Sequence, residues 1–181
     1  MLIKSERSCL LAIDIQEKLV PALHEAPQLV TRCAWLTAIA GRFEIPILAS
    51  EQYPKGLGHT VAEVAGLLPA DAVMEKVRFS CTAESGCMDR IDAMGRDQWV
   101  LMGAEAHVCV LQTALGLLKA GKEVYLVADC VSSRDPRNVE LAFARMRAEG
   151  VRIVSREMVA FEWLYQAGTD RFREISREFL R

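Results

Sequence analysis

Asp14, Lys76 and Cys109 are three residue types that could share one reaction. A thiol can attack an electrophilic carbon, a carboxylate can take and return the proton, and an ammonium can balance the charge between them. Cys109 stands near the start of a helical pattern, where unpaired backbone N–H groups and the helix dipole favour negative charge. A thiol placed there is expected to have a lowered pKa and to act as a nucleophile. In this scheme Cys109 attacks a carbonyl, Asp14 serves as general base and then acid, and Lys76 favours the thiolate and orients Asp14. Backbone N–H groups at Cys109 and in the preceding bend bind the oxyanion, one such donor typically contributing about 3 kcal/mol. Attack by water then releases the acyl group.

Each residue has a plainer reading by itself. Asp14 suits a helix N-cap, Lys76 a solvated surface position, and Cys109 a helix face packed on a sheet. The elements around them favour the joint reading. Cys9–Ile13 is an apolar run that ends at Asp14, and Ala72–Glu75 is a strand with Lys76 at its end. Trp99–Met102 is a strand followed by the bend Gly103–Ala106, and a helix then closes at Gly121. Further strands are expected at Ile45–Ala49, Glu123–Ala128 and Val151–Val154. Helices are expected near Pro27–Phe43, Val61–Gly66, Glu84–Met94, Pro136–Glu149 and Thr169–Leu180, with a loop over Ser50–His59. Strands alternating with helices imply an α/β fold, a three-layer α/β/α sandwich with a six-stranded parallel, Rossmann-like sheet. Open sheets of this kind place their sites at the carboxyl ends of strands, which is where all three residues arrive.

Composition narrows the classes. The chain has 181 residues and 51% hydrophobic residues, enough for one domain over 1–181 with a sheet buried on both faces. A net charge of −2 gives no electrostatic case for nucleic acid or an acidic membrane. No apolar run approaches the ~20 residues that span a bilayer. The start, MLIKSERSCLLAIDI, runs straight into a strand and shows no signal peptide. Six cysteines, at 9, 33, 81, 87, 109 and 130, fit no zinc motif and read as free thiols of a cytoplasmic protein. His24, His59 and His107 form no ligand pair at helical spacing, so neither a metal nor a cofactor is expected.

The segments LLAIDIQEKL around Asp14, EKVRFSC around Lys76, GAEAHVCVLQTALGLL around Cys109 and SREMVAFEWLYQAGTDRFREIS near the end resemble the isochorismatase-like (cysteine hydrolase) superfamily. SEQYPKGLGHT is closer still to its YcaC-like subgroup of small hydrolases. The resemblance covers nearly the whole chain, and it implies a catalytic triad of Asp14, Lys76 and Cys109. It also implies a cis peptide between Ala104 and Glu105, with the backbone N–H groups of Glu105 and Cys109 forming the oxyanion hole. Nicotinamidases of the superfamily carry an Asp-x-His metal site after the second strand. Here Ser50-Glu51-Gln52-Tyr53-Pro54 takes its place, with only His59 nearby. Isochorismatases proper lack the nucleophilic cysteine, so Cys109 argues for amide-like or carbamoyl chemistry on a small molecule, without a metal.

Gln16, Gln52, Tyr53, Phe79, Ala104, Glu105 and His107 are the expected substrate-binding residues. Tyr53 and Phe79 either stack on substrate or pack their own loops, and Glu105 orients either Lys76 or a neighbouring subunit. Phe161, Trp163, Tyr165 and Phe172 either form an interface or cover the sheet, and the resemblance implies a homo-oligomer, from dimer to octamer. The competing function is a redox-responsive scaffold in which Cys109 is oxidised instead of acylated. Asp14 discriminates, because a redox sensor needs no acid/base partner. A nucleotide-binding domain is disfavoured, since no Gly-rich loop follows the first strand.

Overall fold

The computed structural model describes residues 1–180 of the chain. Its sheet has six parallel strands: β1 (Ser8–Ile13), β2 (Ile47–Gln52), β3 (Val73–Lys76), β4 (Gln98–Ala104), β5 (Glu123–Ser132) and β6 (Arg152–Val154). Their order is β3-β2-β1-β4-β5-β6, so the chain reverses direction across the sheet between β1 and β4. Every residue of β1 and of β4 is buried, as expected of central strands covered on both faces.

Alternate side chains feed two cores. Leu10, Ala12, Val100 and Met102 pack under α1 (Ala26–Arg42), α7 (Arg156–Leu164) and α8 (Asp170–Phe179). Leu11, Ile13, Trp99 and Leu101 pack under α4 (Ser85–Ala93), α5 (Leu111–Lys119) and α6 (Pro136–Ala148). Each fully buried Leu or Ile contributes about 1.5–3 kcal/mol. The short helices α2 (Pro54–Leu57) and α3 (Ala62–Ala65) belong to the crossover from β2 to β3.

Some boundaries differ from the sequence reading. β2 begins at Ile47, after Pro46, and continues through Ser50, Glu51 and Gln52, where the sequence pattern predicts a loop. Polar residues extend the strand because each finds a buried partner: Asp14 for Ser50, Thr60 for Glu51 and Lys76 for Gln52. β5 likewise runs on to Ser132. Helix α7 was not anticipated. Ser155 caps it, its Oγ accepting from Met158 N at 3.1 Å, and Val159, Ala160, Trp163 and Leu164 form its buried face. Of the aromatic residues in this stretch, Trp163 is core, whereas Phe161 and Tyr165 are exposed.

Candidate active site

Asp14 follows β1 directly, and its backbone adopts φ +51°, a left-handed conformation that turns the chain out of the strand. Asp tolerates this region better than most residues. The residue before it, Ile13, is paired across the sheet with Gly103 of β4, which is at φ +119°. A Cβ at Gly103 would run into the Ile13 carbonyl oxygen, so only glycine lets the two strand ends lie this close.

The Asp14 carboxylate is held from two sides. Ser50 Oγ donates to Oδ1 at 2.7 Å, and Lys76 Nζ donates to Oδ2 at 2.8 Å. Both the Asp14 and the Lys76 side chains are fully buried. Asp14 is therefore not a helix cap, and Lys76 is not a surface lysine. Burial pushes the Asp14 carboxyl above its ordinary range, although Lys76 and Ser50 pull the other way. For Lys76, burial works against the charge, and the Asp14 charge leads the contacts that offset it, so the ammonium is favoured.

Cys109 enters from the opposite half of the sheet. The segment after β4 is a π-helical turn, Ala106–Val110, and the α-helix starts only at Leu111. Such wide turns recur at functional sites. Glu105 O accepts from the N–H groups of Val108 and Val110, passing over that of Cys109. The peptide between Ala104 and Glu105 is cis. Cys109 is 5% exposed, and its Sγ donates to Gln52 Oε1 at 3.9 Å.

The expected low pKa of Cys109 is overturned. Burial, followed by the adjacent Asp14 charge, pushes the thiol well above its ordinary range, and Lys76 only partly counters this. The sequence reading puts the thiol near a helix N-terminus, among unpaired N–H groups. In the structure it is buried in a wide turn beside a carboxylate, so the resting sulfur keeps its proton.

The isochorismatase domain family matches residues 8–158, a span that holds all three residues. The chain belongs to the isochorismatase family. Isochorismatase domain-containing protein 2A of Mus musculus is 35% identical over 175 residues, covering 95% of this chain and 82% of the mouse protein. A solved structure described as MAR1 ribonuclease from Caenorhabditis elegans aligns with a TM-score of 0.92 at 32% identity, covering 100% of this chain and 93% of that one. Escherichia coli YcaC, described as an octameric hydrolase of unknown specificity, aligns with a TM-score of 0.88 at 20% identity over 92% of this chain and 83% of that one, a likeness of fold.

Within this isochorismatase-family site, the residues expected to bind substrate separate. Tyr53, at φ +40° and 55% exposed, walls a cavity of about 470 Å³ together with Pro54, Lys55, Val77 and Glu84, reaching the Lys76 end of the site. Gln16 does not line it. Its side chain is buried and spent on the backbone: Nε2 donates to Gln52 O and Gly58 O, and Oε1 accepts from Gln52 N. Ala104 is a fully buried core residue. Phe79 is half exposed on the loop before the 3₁₀ turn Cys81–Ala83.

Glu105 orients neither Lys76 nor the thiol. Its carboxylate accepts from Arg134 N and Nε, both at 3.0 Å. His107 Nδ1 lies 3.0 Å from Ser133 Oγ, tying the π turn to the end of β5. Ser50 is the site residue that the sequence reading missed. Its signal was weak but present: a hydroxyl at the end of an apolar strand neighbouring the one that carries Asp14. At the place of a nicotinamidase-type metal site, Glu51 and His59 pair with each other at 2.9 Å. Among the described residues, no group of three His, Cys, Asp or Glu side chains is arranged to hold a metal ion.

Proposed function

We propose that the chain, acting as one domain, is a metal-independent cysteine hydrolase that cleaves a small, amide-like C–N bond through a thioester on Cys109. The observation that carries this reading is the buried Asp14–Lys76 pair meeting a protonated thiol at the carboxyl edge of the sheet. A protonated nucleophile needs a base, and a carboxyl of raised basicity stands beside it.

Asp14 takes the S–H proton as Sγ bonds to the carbonyl carbon, and the C=O electron pair moves onto oxygen. The N–H groups of Glu105 and Cys109 receive that oxyanion, at about 3 kcal/mol for each donor. Collapse breaks the C–N bond, and Asp14 returns the proton to the leaving nitrogen. Water then gives its proton to Asp14 as its oxygen bonds to the thioester carbon. Collapse of that second adduct frees the acid and returns the proton to sulfur. Lys76 stays charged throughout and steadies the carboxylate and the transient thiolate.

The test is intact-mass spectrometry after brief incubation with amides, carbamoyl compounds and ureides, using the wild type, Cys109→Ala and Asp14→Asn. A transient acyl adduct on the wild type alone, with product released, is expected. No adduct from any compound, together with oxygen added at Cys109 under mild peroxide, would move the reading to a redox-responsive scaffold.

The name of the Caenorhabditis elegans neighbour brings a second reading, cleavage of RNA. The net charge of −2 and the depth of the thiol favour a small uncharged substrate instead. A single-stranded RNA in the same panel separates the two, since cleavage lost in Cys109→Ala would replace the amide reading. We also propose a homo-oligomer, on the strength of the octameric YcaC and the exposed Phe161 and Tyr165, and a cytoplasmic place of action, where its six thiols stay reduced. Native mass spectrometry checks the assembly, and a monomer would overturn it.

A further inference from the structure

Gln52 is placed unlike a substrate ligand, because both ends of its amide are already engaged. Its Oε1 accepts from Lys76 Nζ at 2.7 Å and lies 3.9 Å from Cys109 Sγ, while its Nε2 donates to Val77 O at 2.8 Å. The orientation of the amide is forced. An ammonium requires an acceptor and a carbonyl requires a donor, so the oxygen must face Lys76 and the nitrogen Val77. Its backbone is equally constrained, since the buried Gln16 side chain bonds both Gln52 N and Gln52 O.

We propose that Gln52 is a positioning residue whose amide oxygen is the fixed point shared by the Lys76 ammonium and the Cys109 thiol. This rests on the reading of Cys109 as the nucleophile. Gln52 places Nζ between two acceptors, Asp14 Oδ2 and its own Oε1, so the ammonium stays beside the sulfur without needing the thiolate as its partner. The same oxygen turns the negative end of a dipole toward the sulfur, which favours the neutral thiol at rest.

The charged groups facing Cys109 are Asp14 and Lys76. Cys81, in the turn after β3, faces Lys76. On the π turn itself, Glu105 is engaged by Arg134 and His107 by Ser133. Gln52 is therefore the neutral side chain that reaches both Lys76 Nζ and Cys109 Sγ, and its replacement changes the field at sulfur in a known direction.

The experiment is alkylation by iodoacetamide at about pH 8, read at the Cys109 peptide by mass spectrometry, which requires no substrate. Below its pKa a thiol reacts in proportion to its thiolate fraction. Gln52→Glu keeps the shape and adds a negative charge beside sulfur, so alkylation is expected to slow about tenfold, the effect of roughly one pKa unit. Gln52→Leu removes the dipole and should react several-fold faster. Circular dichroism confirms that each variant is folded, and the near-isosteric Glu variant serves alone if the Leu variant is not.

Asp14→Asn and Lys76→Met are run alongside. Changed rates in these two, with wild-type rates in the Gln52 variants, would overturn the role of Gln52 and leave the triad reading standing. Wild-type rates in Asp14→Asn and Lys76→Met, with altered rates in the Gln52 variants, would overturn the triad and leave Gln52 as the group that sets the thiol.

Discussion

Lys76 Nζ stands 2.8 Å from Asp14 Oδ2, with neither side chain exposed to solvent. A pair buried this deeply is costly to break from one side, because the remaining charge keeps its desolvation cost and loses its partner, typically about 3–5 kcal/mol. Lys76→Met is expected to lower the unfolding free energy by an amount in that range near neutral pH. Asp14→Asn with Lys76→Met should lose less than the Lys76 change alone.

The sign with pH follows. With Lys76 gone, burial pushes the Asp14 carboxyl further above its unfolded value, so the folded state of Lys76→Met binds the proton more tightly. Its stability therefore falls as pH rises from the unfolded value through the folded one, and recovers on acidification. Urea unfolding at about pH 5 and pH 8 checks this. Equal losses in the single and double variants would sink the argument.

The acid limb of activity should carry the same group. Asp14 must be ionised to take a proton, and burial raises its carboxyl against the pull of Lys76 and Ser50. The fall of kcat/KM on acidification is then expected above the ordinary aspartate value of about 3.9. Ser50→Ala removes one hydrogen bond to the carboxylate and should move that limb upward. A limb unmoved in Ser50→Ala would assign it to another group.

The sheet was legible because its central strands are unbroken apolar runs, and a run such as Cys9–Ile13 reads the same in sequence and in fold. Asp14 and Lys76 were legible as residues because each stands at the end of a strand pattern, and Cys109 because it stands near the start of the helical pattern that follows β4. Their electrostatics were not. Helix position alone predicts a lowered thiol pKa, whereas burial beside Asp14 reverses the sign, and burial of one side chain by distant ones is not a local property. Gln16 and Gln52 show the same limit. Each was placed at the right edge, but only the three-dimensional pairing reveals that Gln16 serves the backbone and Gln52 serves Lys76. Helix α7 was missed although Ser155 and the spacing of Val159 and Trp163 carry its signal, because the exposed Phe161 and Tyr165 blur the face.

Gly103→Ala is expected to be severe for its size. The added Cβ meets the Ile13 carbonyl oxygen, and φ of +119° is a conformation that L side chains rarely adopt. A loss of about 3 kcal/mol or more is expected, with the damage falling where Asp14 leaves β1. Gly41→Ala is the matched control. Gly41 lies in α1 with open space around its Cβ position, so alanine there should be neutral or should stabilise by up to about 1 kcal/mol. Thermal unfolding of both variants provides the comparison. Similar effects at the two sites would show that strand approach at Gly103 is not the constraint.

The strap 53–60, which carries Tyr53, is tied along its length by the N–H groups of Glu17 and Lys18 and the Gln16 side chain, and at its Thr60 end by Glu51. Its Oε1 accepts from Thr60 N at 2.7 Å and Thr60 Oγ1 at 2.9 Å, and its Oε2 meets His59 Nδ1 at 2.9 Å. Burial raises the Glu51 carboxyl, but the bonds from Thr60 and His59 outweigh this and hold it below its ordinary range. Its contribution is therefore present above the unfolded glutamate value of about 4.3 and lost as pH falls through the lower folded one. His59 is raised, first by its bond to Glu51, so its share is complete below about 6.5 and lost as pH rises through the folded value. Glu51→Leu leaves the Thr60 N–H without an acceptor and should cost about 1–3 kcal/mol. It should also speed hydrogen exchange at the Thr60 amide and raise KM, because Tyr53 walls the cavity beside Lys76. His59→Ala, which removes a largely exposed ring, should change stability little. Unchanged Thr60 exchange in Glu51→Leu would mean that the backbone bonds from Glu17 and Lys18, with the Gln16 side chain, hold the strap without Glu51.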